Sequence, residues 1–211
     1  MKKNSVLILL LLLFTFVICS NSQDRVLRFE RQIVTVEDFK AEGLILAIGG
    51  GGEGTIGRLK GNQVIAIDIS KRELEEAPDG SLKIIMDARE LKFLDNTFNT
   101  TTSFFTLMYI NGDDHEKVFK EVFRVLKPGG KFLIWGAIIP SRKDLNKDRV
   151  LVPLTIKLPE KEVRTGYGVR LPMVDHDLSY YVNLAEKVGF TILLKESENR
   201  VFQLEVQKPT S

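Results

Sequence analysis

The chain has 211 residues, with 30 Lys and Arg against 28 Asp and Glu, a single Cys and two His. A formal net charge of +2, spread along the chain, excludes a strongly basic nucleic-acid binder, and one cysteine excludes both an intrachain disulfide framework and a cysteine-rich zinc site. At 44% hydrophobic and 27% charged, the composition is that of a globular chain long enough for one domain with a sizeable core. The first residues stand apart. Lys2 and Lys3 precede an apolar run from Val6 through Cys19, followed by Ser20, Asn21 and Ser22. A charged start, an apolar stretch and a small-residue exit describe an export signal or an N-terminal anchor over residues 1–22. Residues 5–19 would supply any membrane attachment, and which side of the membrane the remainder occupies is left open. As a helix the run is about 21 Å long, short of a hydrocarbon core of about 30 Å, which favours a cleaved signal. Residues 23–211 form the folded domain in this reading.

Residues 24–42 are polar and mixed, with Val34, Val36 and Phe39 as packing points and a short helix expected around 36–41. Leu44 to Ile48 is a continuous apolar run, as a strand buried on both faces requires. It runs into Gly49-Gly50-Gly51-Gly52-Glu53-Gly54 and a short helical stretch, Thr55–Leu59. Val64–Asp68 and Lys83–Asp87 read as second and third strands, each ending in an acid, with a charged helix at Lys71–Ala77 between them. Thr102–Met108 reads as the fourth strand. A helix capped by Asp113 or Asp114 carries an apolar stripe of Val118, Phe119, Val122, Phe123 and Leu126, and ends at Lys127-Pro128-Gly129-Gly130. Phe132–Trp135 is the fifth strand, residues 137–174 show no strong period, and Leu178–Val188 is a helix closed by Gly189. Phe190–Leu194 and Val201–Val206 alternate as a final pair. The expected fold is α/β: a Rossmann-like, mainly parallel sheet with helices on both faces and a C-terminal antiparallel hairpin.

In such sheets ligands bind outside the carboxyl ends of the strands. A glycine turn after the first strand lets backbone approach a bulky ligand, and Asp68, about 20 residues on, is placed to accept ribose hydroxyls. Asp87 stands at the next strand end. A glycine turn with two strand-end acids points to a cofactor containing a nucleoside. Gly49-x-Gly51-x-x-Gly54 also fits the weak dinucleotide pattern of nicotinamide-dependent oxidoreductases.

The layout over residues 43–136 resembles the class I S-adenosylmethionine-dependent methyltransferases of the small, minimal-domain type. The residues that carry the resemblance are the glycine turn, Ile65-Ala66-Ile67-Asp68-Ile69-Ser70, Met86-Asp87-Ala88, and the helix ending Val125-Leu126-Lys127-Pro128-Gly129-Gly130. The resemblance implies S-adenosylmethionine as cofactor. Gly49, Gly50, Gly51 and Glu53 would then pass its methionine part and Asp68 with Ile69 its ribose. Asp87 with Ala88 would meet the adenine, and Leu107-Met108-Tyr109 would flank the sulfonium and the acceptor. The sequence departs from the family at Ala47, where an acid is usual two residues before the first glycine, and at Asn99, where another acid is usual. These departures keep open a catalytically inactive binding module of the same fold, beside the oxidoreductase. No catalytic residue is assigned; His115, Asp175, His176, Tyr180 and Tyr181 are candidates for a base, His115 and His176 being read first as an ordinary helix residue and a solvated one. Tyr167, between two glycines, fits a lid or a plain turn, and Trp135 the core. A small-molecule acceptor is the default; no metal ligand spacing, nucleic-acid stripe or oligomer signal is found.

Overall fold

The computed structural model describes residues 25–143 and 145–210. The expected export or anchor segment, residues 1–22, lies outside the described residues. In chain order the elements are β1 (Val26–Arg28), β2 (Gln32–Thr35), β3 (Ile45–Ile48), α1 (Thr55–Lys60), β4 (Val64–Asp68), α2 (Lys71–Glu76) and β5 (Leu82–Ile85). They continue with β6 (Phe98–Phe104), α3 (Gly112–Val125), β7 (Leu126–Ala137), β8 (Arg149–Leu158), β9 (Lys161–Arg170), α4 (Leu178–Val188), β10 (Thr191–Glu198) and β11 (Val201–Gln207).

Seven strands form the main sheet in the order β10-β11-β7-β6-β3-β4-β5. The pairings from β7 to β5 are parallel, and β11 runs antiparallel between β7 and β10. This is the expected fold class, hairpin included. After β3 the chain adds β4 and β5 to one side, then returns to add β6 and β7 to the other. The sheet therefore switches its direction of growth between β3 and β6, the place where open α/β sheets bind ligands.

Because the central strands are buried on both faces, their side chains divide by parity between two cores. Leu46, Ile48, Ile65, Ile67, Phe132 and Ile134 meet α3 and α4 through Val118, Phe119, Val122 and Tyr181. Ile45, Ala47, Val64, Ala66, Leu133 and Trp135 meet Ile56 of α1, Leu74 of α2 and a row of valines and leucines from a second sheet. Helices lie on both faces, but on the second face they share it with strands.

That second sheet was not expected. β8 pairs antiparallel with β9 along its whole length and parallel with both β1 and β2. Residues 137–174 thus hold a hairpin of two ten-residue strands where an irregular stretch was read, and residues 36–41 hold no helix. The period-two signal is present: Val150, Val152, Leu154 and Ile156 are buried in alternation. Pro153 argued against a central strand. It is tolerated because it falls between the stretch paired with β1, residues 149–151, and that paired with β2, residues 154–157.

Three boundaries also moved. The fourth main-sheet strand starts at Phe98 rather than Thr102, its polar Thr100, Thr101, Thr102 and Ser103 all buried at the sheet centre. Helix α3 begins after Asn111, so neither Asp113 nor Asp114 is its cap. Its end comes at Val125, Leu126 is already extended, and Lys127-Pro128-Gly129-Gly130 belongs to the start of β7, where Gly129 takes φ +78°.

Candidate functional site

At the carboxyl ends of β3, β4 and β6 lies a cleft of about 680 Å³, within the range of small-molecule and cofactor sites. Its floor is the glycine turn. Gly49 has φ +63°, and a Cβ there would stand 2.2 Å from the Thr106 side chain. A Cβ on Gly51 would stand 2.6 Å from the Glu73 side chain and 3.0 Å from the Asp68 carboxylate. A side chain at either position would collide there, so the turn is left as bare backbone, with the Gly50 amide held by the Ile67 carbonyl at 3.0 Å and the Gly52 amide by the Glu73 carbonyl at 2.8 Å.

Asp68 and Ile69 line the cleft at the end of β4, with Ile69 72% exposed. One Asp68 oxygen accepts the Ser70 amide at 2.8 Å, which fixes the side chain and leaves the other oxygen toward the turn. Met86, Asp87 and Ala88 line the next stretch. Asp87 is gripped by Arg89, whose Nη2 donates at 2.6 Å, while Nη1 donates to Asp114 at 2.8 Å. The Arg89 hydrogen bonds hold the Asp87 carboxyl below its ordinary range, and Lys117 and then Arg89 do the same for Asp114. The structure thus gathers Gly49, Gly50, Gly51, Glu53, Asp68, Ile69, Asp87 and Ala88 around one cavity. Met108 is the exception. It is buried in the core with Phe105 and Trp135, and Phe105, Thr106, Tyr109 and Ile110 line the cleft in its place. Asn99 lies at the amino-terminal end of β6, away from the cleft, where it accepts from Lys127 at 2.9 Å.

The side of the cleft facing the second sheet is aromatic. Tyr167 of β9 packs against Phe105 and Tyr109, with ring centroids 5.7 and 6.2 Å apart. Its hydroxyl donates to Glu53 Oε2 at 2.9 Å, and Thr165 donates to Glu53 Oε1. Two hydroxyls from the hairpin therefore orient the one carboxylate of the glycine turn. Loss of solvation, then the Glu53 and Glu73 carboxylates, pushes the Tyr109 phenol up to about 12 and raises Tyr167 well above the ordinary range. Neither phenol serves as a base at neutral pH. Phe105, with φ +54°, holds a conformation uncommon for a bulky side chain, and its amide is tied to the Trp135 carbonyl at 2.8 Å. Sequence reasoning had no signal for Thr165 or Phe105, since the hairpin and the left-handed turn are tertiary features.

The histidine candidates sit behind the cleft rather than in it. His115 is fully buried, its Nε2 2.8 Å from the Leu107 carbonyl and its Nδ1 2.9 Å from the Tyr180 hydroxyl. A carbonyl only accepts, so Nε2 carries the proton and Nδ1 accepts from the phenol. Burial lowers the His115 pKa. His176, read as solvated, is buried against His115 and stacked on Tyr180; burial, then His115, lowers it to about 4. A Cβ on Gly112 would stand 2.9 Å from His176 Nε2. The cluster fixes the segment 107–112, which carries the cleft residues Tyr109, Ile110 and Asn111. Asp177 caps α4 by accepting the Tyr180 amide at 2.7 Å. No group of three or more metal-ligating side chains occurs among the described residues.

The cavity suits a nucleoside cofactor on three observations. The glycine cradle would be filled by any Cβ, the Asp68 carboxylate stands at the next strand end, and Thr102 on the lining has a buried hydroxyl with no partner. Residues 46–134 match the family described as a methyltransferase domain. Over 85 residues the chain is 39% identical to a ubiquinone/menaquinone biosynthesis C-methyltransferase of Desulfotalea psychrophila, covering 38% of this chain and 34% of that one. It is 40% identical over 65 residues to a sterol 4-C-methyltransferase of Caenorhabditis elegans, covering 31% and 18%. The chain thus spans about a third or less of these curated relatives. Among solved structures it is similar to an S-adenosylmethionine-dependent methyltransferase of Methanosarcina mazei, with a TM-score of 0.60, 18% identity and coverage of 82% and 96%. That last likeness concerns the fold.

Proposed function

From the premise that this chain carries a class I S-adenosylmethionine-dependent methyltransferase domain, we propose that it transfers a methyl group from that cofactor to a small organic acceptor. The observation that carries the reading is the pairing of a glycine cradle with Asp68 in one cleft at the switch point of the sheet. When bound, the cofactor supplies an electrophilic methyl group on a sulfonium. Asp68 accepts the ribose hydroxyls, the backbone of Gly49 to Gly51, bare of side chains, lets the methionine part approach, and Asp87 with Ala88 bounds the adenine. Glu53 supplies the negative charge for the ammonium that a strand acid at Ala47 would otherwise supply. Phe105, Tyr109 and Tyr167 exclude water and set the line along which the acceptor approaches, which is most of what methyl transfer requires of a protein.

Arg72 and Arg89 are the only basic residues among those lining the cleft, against Glu53, Asp68, Glu73, Glu76, Asp87 and Asp114. Arg89 is taken by two carboxylates. The lining therefore favours a neutral or cationic acceptor over an anionic one. In this reading residues 1–22 attach the domain to a membrane or direct its export.

A crystal structure of the protein with S-adenosylhomocysteine tests the assignment. The ribose is expected on Asp68 and the adenine beside Asp87 and Ala88. A ligand seated elsewhere, or a cleft that excludes it, would overturn it.

A further inference from the structure

The described residues begin at Arg25, and five residues separate it in sequence from the apolar run that ends at Cys19. Arg25 is ion-paired with Asp148 at 2.6 Å, and its carbonyl accepts the Asp148 amide at 2.9 Å. The Asp148 carbonyl in turn accepts the Leu171 amide at 2.9 Å, and the Pro172 carbonyl accepts the Arg142 amide at 2.8 Å. Two residues past Leu171 the chain exposes an apolar pair, Met173 at 67% and Val174 at 56%. Arg142, Lys143, Arg149 and Arg170 are exposed on the same stretch; among the described acids there, Asp148 is paired with Arg25 and Asp175 accepts the Ser141 amide at 2.6 Å.

This patch leads to the histidine cluster behind the cleft. His176, two residues after Val174, exchanges both backbone hydrogen bonds with Ile139 and packs on Gly112, whose neighbour Asn111 lines the cleft. Ser20 to Asp24 are the five residues between the apolar run and Arg25. Fully extended, five residues reach at most about 18 Å. A membrane entered by residues 5–19 thus lies within that distance of Arg25, whose contacts lead through Asp148 and Leu171 to a face that pairs exposed apolar side chains with basic ones, the combination that suits a bilayer bearing anionic headgroups.

We propose that the face formed by Met173, Val174, Arg142 and Lys143 rests on an anionic lipid bilayer. The proposal rests on the reading of residues 5–19 as an attached segment. It goes beyond it by fixing which side of the domain meets the lipid. Among the described residues no helix is long and apolar enough to cross a membrane, so the domain's own contact is with the surface.

The test uses the full chain in vesicles of equimolar phosphatidylcholine and phosphatidylglycerol. A Cys19→Ser background carries one reporter cysteine, Val174→Cys or Met173→Cys, labelled with a polarity-sensitive dye. Leu94→Cys is the control, 83% exposed and four residues before β6, at the opposite end of the strands. Circular dichroism confirms that each variant is folded. The labels at 173 and 174 are expected to shift to the blue and to be quenched by a lipid-borne quencher, with no change at 94. Adding Arg142→Glu and Lys143→Glu is expected to reverse most of the shift. If the chain floats with the vesicles while the label at 174 stays as aqueous as that at 94, the face is refuted and the attachment stands. If the chain does not float, both are refuted.

Discussion

The two faces of the main sheet are closed by different means. Against α3 and α4 the closure is aromatic and continuous: Phe119 lies within 6.4 Å, centroid to centroid, of Phe132, Tyr181 and Phe190. Against the second sheet the closure is assembled from short pieces, and it contains the glycine turn, the strained Phe105 and the Glu53–Tyr167 contact. The helical face packs the His115, His176 and Tyr180 cluster behind the cleft and borders it through Ile48, Ile67 and Ala88; the other face holds Glu53, Tyr167 and the glycine turn that floors it. The difference teaches a division of labour, in which one face supplies stability and the other positions a ligand.

That division can be broken by substitution. Phe119→Ala, at a fully buried site, is expected to cost about 3–5 kcal/mol. Denaturant titration reads this as a lower midpoint, with cofactor affinity of the folded fraction unchanged. A comparable loss of affinity would show the two faces to be coupled.

The next effect is one of pH. His176 is held neutral, with a folded pKa of about 4 against an ordinary value of 6.5. The unfolded chain therefore binds the proton first, and stability falls as pH drops from about 6.5 to about 4. The full span corresponds to roughly 3 kcal/mol. His176→Gln is expected to flatten this part of the stability–pH curve, measured by denaturation at each pH. An unchanged slope would assign it to other groups.

Two glycines sharpen the contrast between fold and site. Gly49 and Gly61 both have positive φ, so alanine is strained at each. Around Gly61 nothing stands within 4 Å of a new Cβ, whereas at Gly49 it would strike Thr106. Gly49→Ala is expected to lose more stability than Gly61→Ala and, alone of the two, to weaken cofactor binding. The smallest effect is at the hairpin. Tyr167→Phe removes the bond to Glu53, worth about 1 kcal/mol, or roughly fivefold in ligand affinity, with stability little changed.

The sequence made the same division visible unevenly. Ile45–Ile48, Val64–Asp68 and Leu178–Val188 were legible because apolar runs and stripes of the right length are bounded by glycine or an acid. The glycine turn and Asp68 followed from their positions at strand ends. The hairpin of β8 and β9 was hidden by Pro153 and by a partner sheet built from β1 and β2, more than a hundred residues away in sequence. Strand β6 was misplaced because its buried centre is Thr and Ser rather than apolar. His176 between two aspartates read as solvated, since nothing local reveals the packing of His115 and Tyr180 around it. Met108 was read as a cleft residue from its place after a strand, but it is buried in the core while Phe105, Thr106 and Tyr109 line the cleft.

Calorimetric titration of the protein with S-adenosylmethionine and S-adenosylhomocysteine, beside Asp68→Ala, tests the central claim most directly. The account predicts saturable one-to-one binding to the wild type. In the variant, loss of a charged hydrogen bond worth about 1.5–3 kcal/mol lowers affinity tenfold or more. A folded wild-type protein that gives no heat with either ligand, or an Asp68→Ala variant that binds as tightly, would contradict it.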